Sequence, residues 1–517
     1  MNIKYVTEKI SGNYRQIIKV LLLVSLPLIM CYIACLKDGI SLGDIYLGNS
    51  KWNDEVLYYK ITEAVSKFNG PLGNFGYNGS SAELGHFGAW SPVVFVFYII
   101  WAKIFGWSLM SPVYCNIALM MIAMFVFALF VHPTKKQTIF LCLLYGSCSI
   151  MTRYVLSGMT EITIYSLLII FFGISVKAGR TIEDVFKLRY LLILNFLAFL
   201  LTLMRPYWIL LFAVPAWYWY SRGKKKAVFV EVIVSLFTIA VYFIIANRFC
   251  AQYLFPIINL DWLKLVFTNP LQGLYNIMHI FVSSLWQLLQ SVGEGIVSGA
   301  PMGAMYAVFL MMVIYFVYSI LATDKNDKDK RSFFYYGLIC FLSLLLAIFY
   351  LYDLEVGSRH LTGFILVFIM VFPLMETSPK RFLLFLTAFI WLFCARAADE
   401  YTYGIPVRTE EKEAELAHGI EELEQAALID ADSDDAWDNT IIWLYSDETE
   451  IDFTYLYALP GGMGINLCVK NYVMANFQQL RARYIITNIG EEVDLLCEKE
   501  KKELKAEYGN VHIWKLR

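Results

Sequence analysis

Between residues 1 and 397 the chain alternates apolar runs of bilayer length with short basic clusters, and beyond residue 398 that alternation stops. The first run, IIKVLLLVSLPLIMCYIACL at 17–36, matches a full crossing, so it predicts a retained span rather than a cleaved leader. Basic clusters recur at Lys4 to Lys19, Lys135 and Lys136, Lys177 to Arg189, Arg222 to Lys226, Lys325 to Arg331, and Lys380 with Arg381. If each faces the cytoplasm, an even number of crossings separates it from the next. Three intervals satisfy this as hairpins whose outward tips are polar breaks: Arg153 to Glu161, MRPYW at 204–208, and YDLEVGSRH at 352–360.

The first interval breaks the parity. It holds apolar runs at 17–36, 92–107 and 113–131, and three crossings would turn Lys135 and Lys136 outward. PVVFVFYIIWAKIFGW at 92–107 is the shortest, contains Lys103 and carries tryptophans of the interfacial kind, so it is expected to lie at the outer surface without crossing. The first outer loop then covers 37–112. A span over 227–246 leads to a second outer loop at 247–300, where LDWLKLVFTNPLQGLYNIMHIFVSSLWQLL predicts interfacial helices. Runs at 301–322, 333–351, 360–376 and 382–397 bring the expected total to about eleven spans and leave 398–517 outside. In that tail EEKEAELAHGIEELEQAALI and EEVDLLCEKEKKELKAEY predict helices, while TIIWLY, ARYIIT and VHIWKL predict strands.

Composition agrees with this layout. With 58% hydrophobic and only 17% charged residues in 517, and a mean hydropathy of +0.56, the chain has too few polar groups to cover a soluble globule. The expected fold is an α-helical polytopic membrane domain over 1–397 followed by a small extracytoplasmic α/β domain over 398–517, with the amino terminus cytoplasmic and a bacterial plasma membrane the expected setting. Eight of the ten cysteines lie in or beside apolar runs and read as small buried hydrophobes; Cys468 and Cys497 sit in the polar tail, where a disulfide between them is left open. DADSDD at 430–435 imitates a calcium loop, but Asp435 stands where glycine is needed and Ile441 where a bidentate glutamate is needed. GGMG at 461–464 reads as a turn.

Candidate chemistry gathers on the outer side. Asn53, a good N-cap, precedes Asp54 and Glu55, which open a helix whose expected apolar face is Leu57, Ile61, Ala64, Val65 and Phe68. Acids in a first turn complement the helix dipole, which is their plain structural explanation. The same side, however, also receives Glu83 and His86, Arg153 with Glu161 (each a ready partner for the other), Arg205, and Asp353, Glu355, Arg359 and His360. Ionisable groups at the edge of apolar spans are costly unless paired or needed. A membrane-level set of carboxylates and arginines suits transfer of a sugar from a lipid-linked phosphate to a hydroxyl. The carboxylate takes the acceptor's proton, and the arginines neutralise the departing phosphate.

The order of these elements resembles the GT-C superfamily of integral-membrane glycosyltransferases, which includes protein O-mannosyltransferases, lipid A aminoarabinose transferases and oligosaccharyltransferase catalytic subunits. The matching stretches are NDEVLYY after the first span, GHFGAWSPVVFVFYIIWAKIFGW, SGMTEITIY, LMRPYW and GSRHLTGF, spread over about 400 residues. The resemblance implies that Asp54 is the catalytic base with Glu55 beside it, that Glu161 organises the site or a metal, and that Arg205 and Arg359 bind the lipid phosphate; His86, Arg153, Glu355 and His360 complete the expected substrate-binding set. It implies a polyprenyl-phosphate sugar donor, a glycan, lipid or protein acceptor, and a role in cell-surface glycan assembly. Members differ in metal use, so a divalent cation, Mg or Mn, is left open. The alternatives are a lipid-linked glycan flippase, a glycan polymerase or ligase, and a membrane-anchored interaction protein. HExxH, GxSxG and P-loop patterns are absent, and without an extended basic face no nucleic-acid partner is expected.

Overall fold

The computed structural model describes residues 3–50, 52–78, 87, 91–181, 184–250, 261–298, 301–322, 328–351, 361–376, 378–394, 404–445 and 451–517. It is a multi-pass helical protein with a small sheet. Among the described residues five helices are long and apolar enough to cross a bilayer: Gln16–Lys37 within α1 (Ile3–Lys37), α4 (Ser111–Val131), α7 (Glu161–Arg180), α10 (Lys225–Phe249) and Phe333–Leu351. A sixth crossing forms if α5 (Lys135–Gly146) and α6 (Ser149–Val155), bent by 74° at their junction, act as one broken span. Shorter apolar helices run over Leu188–Met204, Tyr306–Tyr315 and Leu361–Met375. In the last of these every residue is buried, so it is apolar on all sides and stands at the centre of the bundle. α1 and α10 instead turn most of their apolar surface outward, as lipid-facing helices do.

The run at 92–107 folds as a short 3₁₀ turn, Pro92–Phe95, and the ten-residue helix α3 (Val96–Phe105). Ten residues rise about 15 Å, half the hydrocarbon thickness, so α3 cannot cross upright. It packs against α2 (Asn53–Phe68): Lys103 donates to the Ser66 carbonyl at 3.0 Å, and Trp107 Nε1 to the Tyr59 carbonyl at 3.2 Å. In the segment 247–300, Asp261–Thr268 and Pro270–Ser298 are amphipathic helices and do not pass as spans.

The tail supplies five strands of a six-stranded sheet, and one edge strand comes from the loop after the first span; the order is β1 (Gly76–Tyr77), β3 (Gly464–Cys468), β2 (Thr440–Leu444), β4 (Tyr484–Asn488), β6 (Val511–Lys515) and β5 (Glu503–Tyr508). β1 runs parallel to β3, with Gly76 opposite Asn466; β2 and β4 continue the parallel part, and β6 and β5 close it antiparallel. The loop reaches β3 so closely that a Cβ on Gly464 would lie 2.2 Å from the Asn74 nitrogen, and one on Gly73 would lie 2.0 Å from the Asn439 carbonyl oxygen. GGMG is thus a turn, but one whose last glycine admits a second backbone. Further ties join the loop to the tail (Arg408 N to the Asp44 carbonyl, 2.7 Å) and to the start of the second loop (Phe87 N to the Phe249 carbonyl, 2.6 Å). The first loop, the chain before the second loop and the tail therefore share one side of the helical bundle.

One expectation for the tail changes, and one question left open is answered. KELKAEY does not extend the helix Glu492–Lys499; it forms β5, because charged Glu503, Lys505 and Glu507 alternate with Leu504, Ala506 and Tyr508, the two-residue period of an edge strand. Cys468 and Cys497 are separate, buried free thiols, each pushed up to about 12 by burial. In DADSDD, Asp435 caps the 3₁₀ turn Ala436–Asn439, and with Asp438 it faces Arg517 at 3.0 and 3.4 Å.

Candidate active site

Helix α2 positions the acidic pair. Trp52 rather than Asn53 is its N-cap, and Asn53 Oδ1 instead accepts the Asp54 amide at 2.7 Å. The expected one-sided amphipathic helix is buried almost all round, because α3 and the turn at Gly158 cover one flank and the tail segment Phe453–Ala458 covers the other. Its interior side chains include two charges, Glu55 and Lys60. Lys60 is satisfied from both its own helix and the tail: its ammonium contacts Glu63 and donates to the Leu459 carbonyl at 2.5 Å. Burial pulls the Lys60 ammonium below its ordinary value. Burial also works to raise Glu63, but the Lys60 and Lys67 charges outweigh it and hold that carboxylate low.

Glu55 is fully buried, and its partner is Arg153 at the end of α6, 3.1 Å away. Arg153 also donates to the Leu156 carbonyl at 3.2 Å and lies over the Trp52 ring, 5.2 Å from its centre. Burial raises the Glu55 carboxyl, while Arg153, the Ser50 hydroxyl and the Gly158 amide act against that rise. The approach depends on glycine: a Cβ on Gly158 would sit 3.2 Å from Glu55 Cβ and 3.3 Å from its carbonyl oxygen. Asp54, the next residue round the helix, is only half-buried.

Glu161 does not pair with Arg153. It opens α7, where its carboxylate faces Arg205 at 3.3 Å, and both side chains are buried. Arg205 sits in extended backbone between α8 (Asp184–Met204) and the 3₁₀ turn Pro206–Phe212. The exchange of partners is geometric. Arg153 and Glu161 flank the break between α6 and α7 on different helices, and each meets the charge that the packing of a distant segment brings. An aromatic path joins the two pairs: Trp52 contacts Tyr154 edge-on at 5.2 Å, and Tyr154 contacts Tyr165, one turn into α7, at 6.1 Å. Tyr98 of α3 bridges the break, its hydroxyl 2.9 Å from Asn116 Oδ1 and 3.0 Å from the Met159 carbonyl. That hydroxyl is raised well above its ordinary value by burial, with lesser contributions from both Glu161 and Glu55.

Asp54, Glu55, Arg153, Glu161 and Arg205 thus belong to one region, at the ends of α2, α6, α7 and α8. His86 and Glu83, and Asp353, Glu355, Arg359 and His360, lie outside the described residues. Sequence reasoning missed Trp52, Tyr98, Tyr154 and Tyr457; only the aromatic clustering of WNDEVLYY hinted at any of them. For a divalent cation the described donors do not fit: among the described residues no three His, Cys, Asp or Glu side chains converge, and the two buried glutamates face arginines.

Farther along α2 a cavity of about 390 Å³ opens between this helix, the tail helix Glu410–Gln425 and the segment 457–461. Tyr59 and Tyr457 form its inner end, in edge-on contact at 5.2 Å. The Tyr457 hydroxyl is buried and makes no hydrogen bond to the described groups.

No family model matches the chain, and no curated protein matches it. Among solved structures it is similar to the crystal structure of ArnT, an aminoarabinose transferase, from Cupriavidus metallidurans in the apo state. The likeness covers 96% of this chain and 98% of that one at 11% identity, with a TM-score of 0.42.

Proposed function

We propose that this protein is a membrane glycosyltransferase that moves a sugar from a polyprenyl-phosphate donor to an acceptor hydroxyl on the extracytoplasmic face, in building or modifying a cell-surface glycan. The observation that carries the reading is the gathering of two buried glutamate–arginine pairs, Glu55–Arg153 and Glu161–Arg205, beside half-buried Asp54 where helices break beneath the first-loop helix. Buried ion pairs recover their desolvation cost only in good geometry, and two at one level of a membrane protein favour function over packing.

In the reaction, the acceptor oxygen attacks the anomeric carbon as the bond from that carbon to the phosphate oxygen breaks. Asp54 accepts the hydroxyl proton, since Glu55 is committed to Arg153. The leaving group departs as polyprenyl phosphate, a weak base, so a separate general acid is not required. Arg153 and Arg205 are held in place by their glutamates, and their planar guanidiniums can add phosphate contacts to the one made with each carboxylate. Glu55 and Glu161 are positioning residues in this scheme. The mechanism routes no step through a metal.

The test is transfer from radiolabelled polyprenyl-phosphate sugars by the purified chain in proteoliposomes. Asp54→Asn is expected to lower the rate by about 10²-fold or more, the scale of general-base catalysis, without loss of folded protein. Retention of more than a tenth of the wild-type rate would remove Asp54 from the mechanism. The 74° bend between α5 and α6, beside Arg153, favours a second reading, a transporter for the same lipid-linked glycan. That reading requires labelled donor to change leaflet with no glycosylated product.

A further inference from the structure

We infer that Tyr98 of α3 and Asn116 of α4 clamp the turn between α6 and α7, and that as positioning residues they set how both buried glutamate–arginine pairs meet the departing phosphate. The role in transfer rests on the glycosyl-transfer reading; the clamp itself rests on the contacts of residues 156–160.

That turn carries contacts to both pairs. The Leu156 carbonyl accepts from Arg153 at 3.2 Å, Gly158 packs on the Cα, Cβ and carbonyl oxygen of Glu55, and Glu161 opens α7 two residues after Met159. Bonds inside the turn fix its shape: Ser157 Oγ donates to the Tyr154 carbonyl at 2.6 Å and accepts from the Met159 amide at 3.1 Å. Both are local, so they leave its place against α2 open. Placement comes from the neighbouring helices. Asn116 Nδ2 donates to the Ser157 carbonyl at 2.8 Å, and the Tyr98 hydroxyl reaches the Met159 carbonyl at 3.0 Å, so the two carbonyls that flank Gly158 are each held from outside the turn.

The two clamping residues also hold each other. With Asn116 Nδ2 facing a carbonyl, its Oδ1 is left to accept from Tyr98, at 2.9 Å. Both side chains are fully buried, where such bonds are electrostatically stronger than in water. Tyr98 turns inward from α3 while Ile100 and Ile104, on the other side of that helix, are exposed, and its ring packs against Trp107 at 5.6 Å. Trp107 in turn donates to the Tyr59 carbonyl, which closes a circuit from α2 through α3 to the turn and back to Glu55. A slip anywhere in this circuit moves Arg153 and Glu161 relative to Asp54. Bond breaking is the step most sensitive to it. The donor is a phosphate diester with a single negative charge, and it departs as a monoester with more, so guanidiniums aimed at that phosphate are worth more in the transition state than in the bound donor.

Transfer kinetics on the full chain in proteoliposomes, with the same radiolabelled polyprenyl-phosphate sugars, test the role, and hydrogen exchange on the same preparations tests the clamp. Tyr98→Phe removes the hydroxyl and keeps the ring; Asn116→Leu keeps the shape and removes both amide bonds, and if it does not fold Tyr98→Phe decides alone. Tyr336→Phe is the control, since it deletes an equally buried hydroxyl bond, 2.8 Å to the Leu168 carbonyl, farther along α7. Tyr98→Phe and Asn116→Leu are each expected to lower kcat by about tenfold or more with the donor KM within about threefold, and to speed exchange at 52–58 and 156–161 by about fivefold or more. Tyr336→Phe is expected to do neither at a comparable loss of thermal stability. A smaller fall in kcat for Tyr98→Phe, a loss carried by KM alone, or an equal loss in Tyr336→Phe overturns the positioning role and keeps the transferase. If the wild type transfers no sugar, the transferase reading falls and exchange decides the clamp, which faster exchange at 52–58 in Tyr98→Phe retains. Unchanged exchange there overturns the clamp in either case.

Discussion

Removing one partner of the Glu55–Arg153 pair strands the other charge in the interior, and the size of that effect follows from the geometry. At 3.1 Å the attraction is about 5 kcal/mol in an effective dielectric of about 20. Desolvation of both ions consumes much of it, so the pair adds little net stability, yet breaking it from one side costs about 3–5 kcal/mol. Glu55→Gln and Arg153→Gln are each expected to lose that amount, and the double variant no more than either single one, giving a coupling energy of at least about 3–5 kcal/mol. The assay is unfolding in mixed detergent and dodecyl sulfate micelles, followed by tryptophan fluorescence with a protease check on the folded fraction. Stability losses that add to within about 0.5 kcal/mol, as for distant independent sites, would refute the pairing and the packing of α6 against α2 that it implies.

Other expectations follow from the same structure. Gly464→Ala places a methyl group 2.2 Å from the Asn74 nitrogen, so it should detach the first loop from β3; limited proteolysis should then cut near residues 72–78, and protection equal to the wild type would contradict the β1–β3 pairing. Asp494 accepts from Thr487 Oγ1 (2.7 Å), the Gly490 amide (2.9 Å) and Trp514 Nε1 (2.7 Å), and lies 2.9 Å from His512 Nδ1. Burial works to raise its carboxyl, but these hydrogen bonds outweigh it and hold it below 3.8. Its stabilisation is therefore present above pH 3.8 and lost as pH falls through the lower folded-state value. Asp494→Asn should lower tail stability by about 1–3 kcal/mol at neutral pH and flatten the acid limb of a thermal-shift profile; an unchanged limb would contradict this. Glu161→Gln should reduce glycosyl transfer while Glu161→Asp restores part of it, since the carboxylate positions Arg205; equal activity in both variants would remove that role.

The amino-acid order alone determined the membrane class, the polar breaks between apolar runs, the short surface run at 92–107 and the strands at 440–444, 484–488 and 511–515, because bilayer length and local periodicity are properties of contiguous residues. It also singled out Asp54, Glu55, Arg153, Glu161 and Arg205, since a charge in an apolar neighbourhood is conspicuous without any structure. Which charge meets which was not legible. Arg153 and Glu161 lie eight positions apart, yet Arg153 turns to Glu55 and Glu161 to Arg205, because partners are chosen by helix packing across 98 and 44 residues of chain. The burial of Glu55 and Lys60 in an apparently amphipathic helix, the loan of β1 to the tail's sheet and the place of Tyr457 beside Tyr59 have the same origin. Each depends on a second surface that arrives from far along the chain, and only the tertiary structure supplies it.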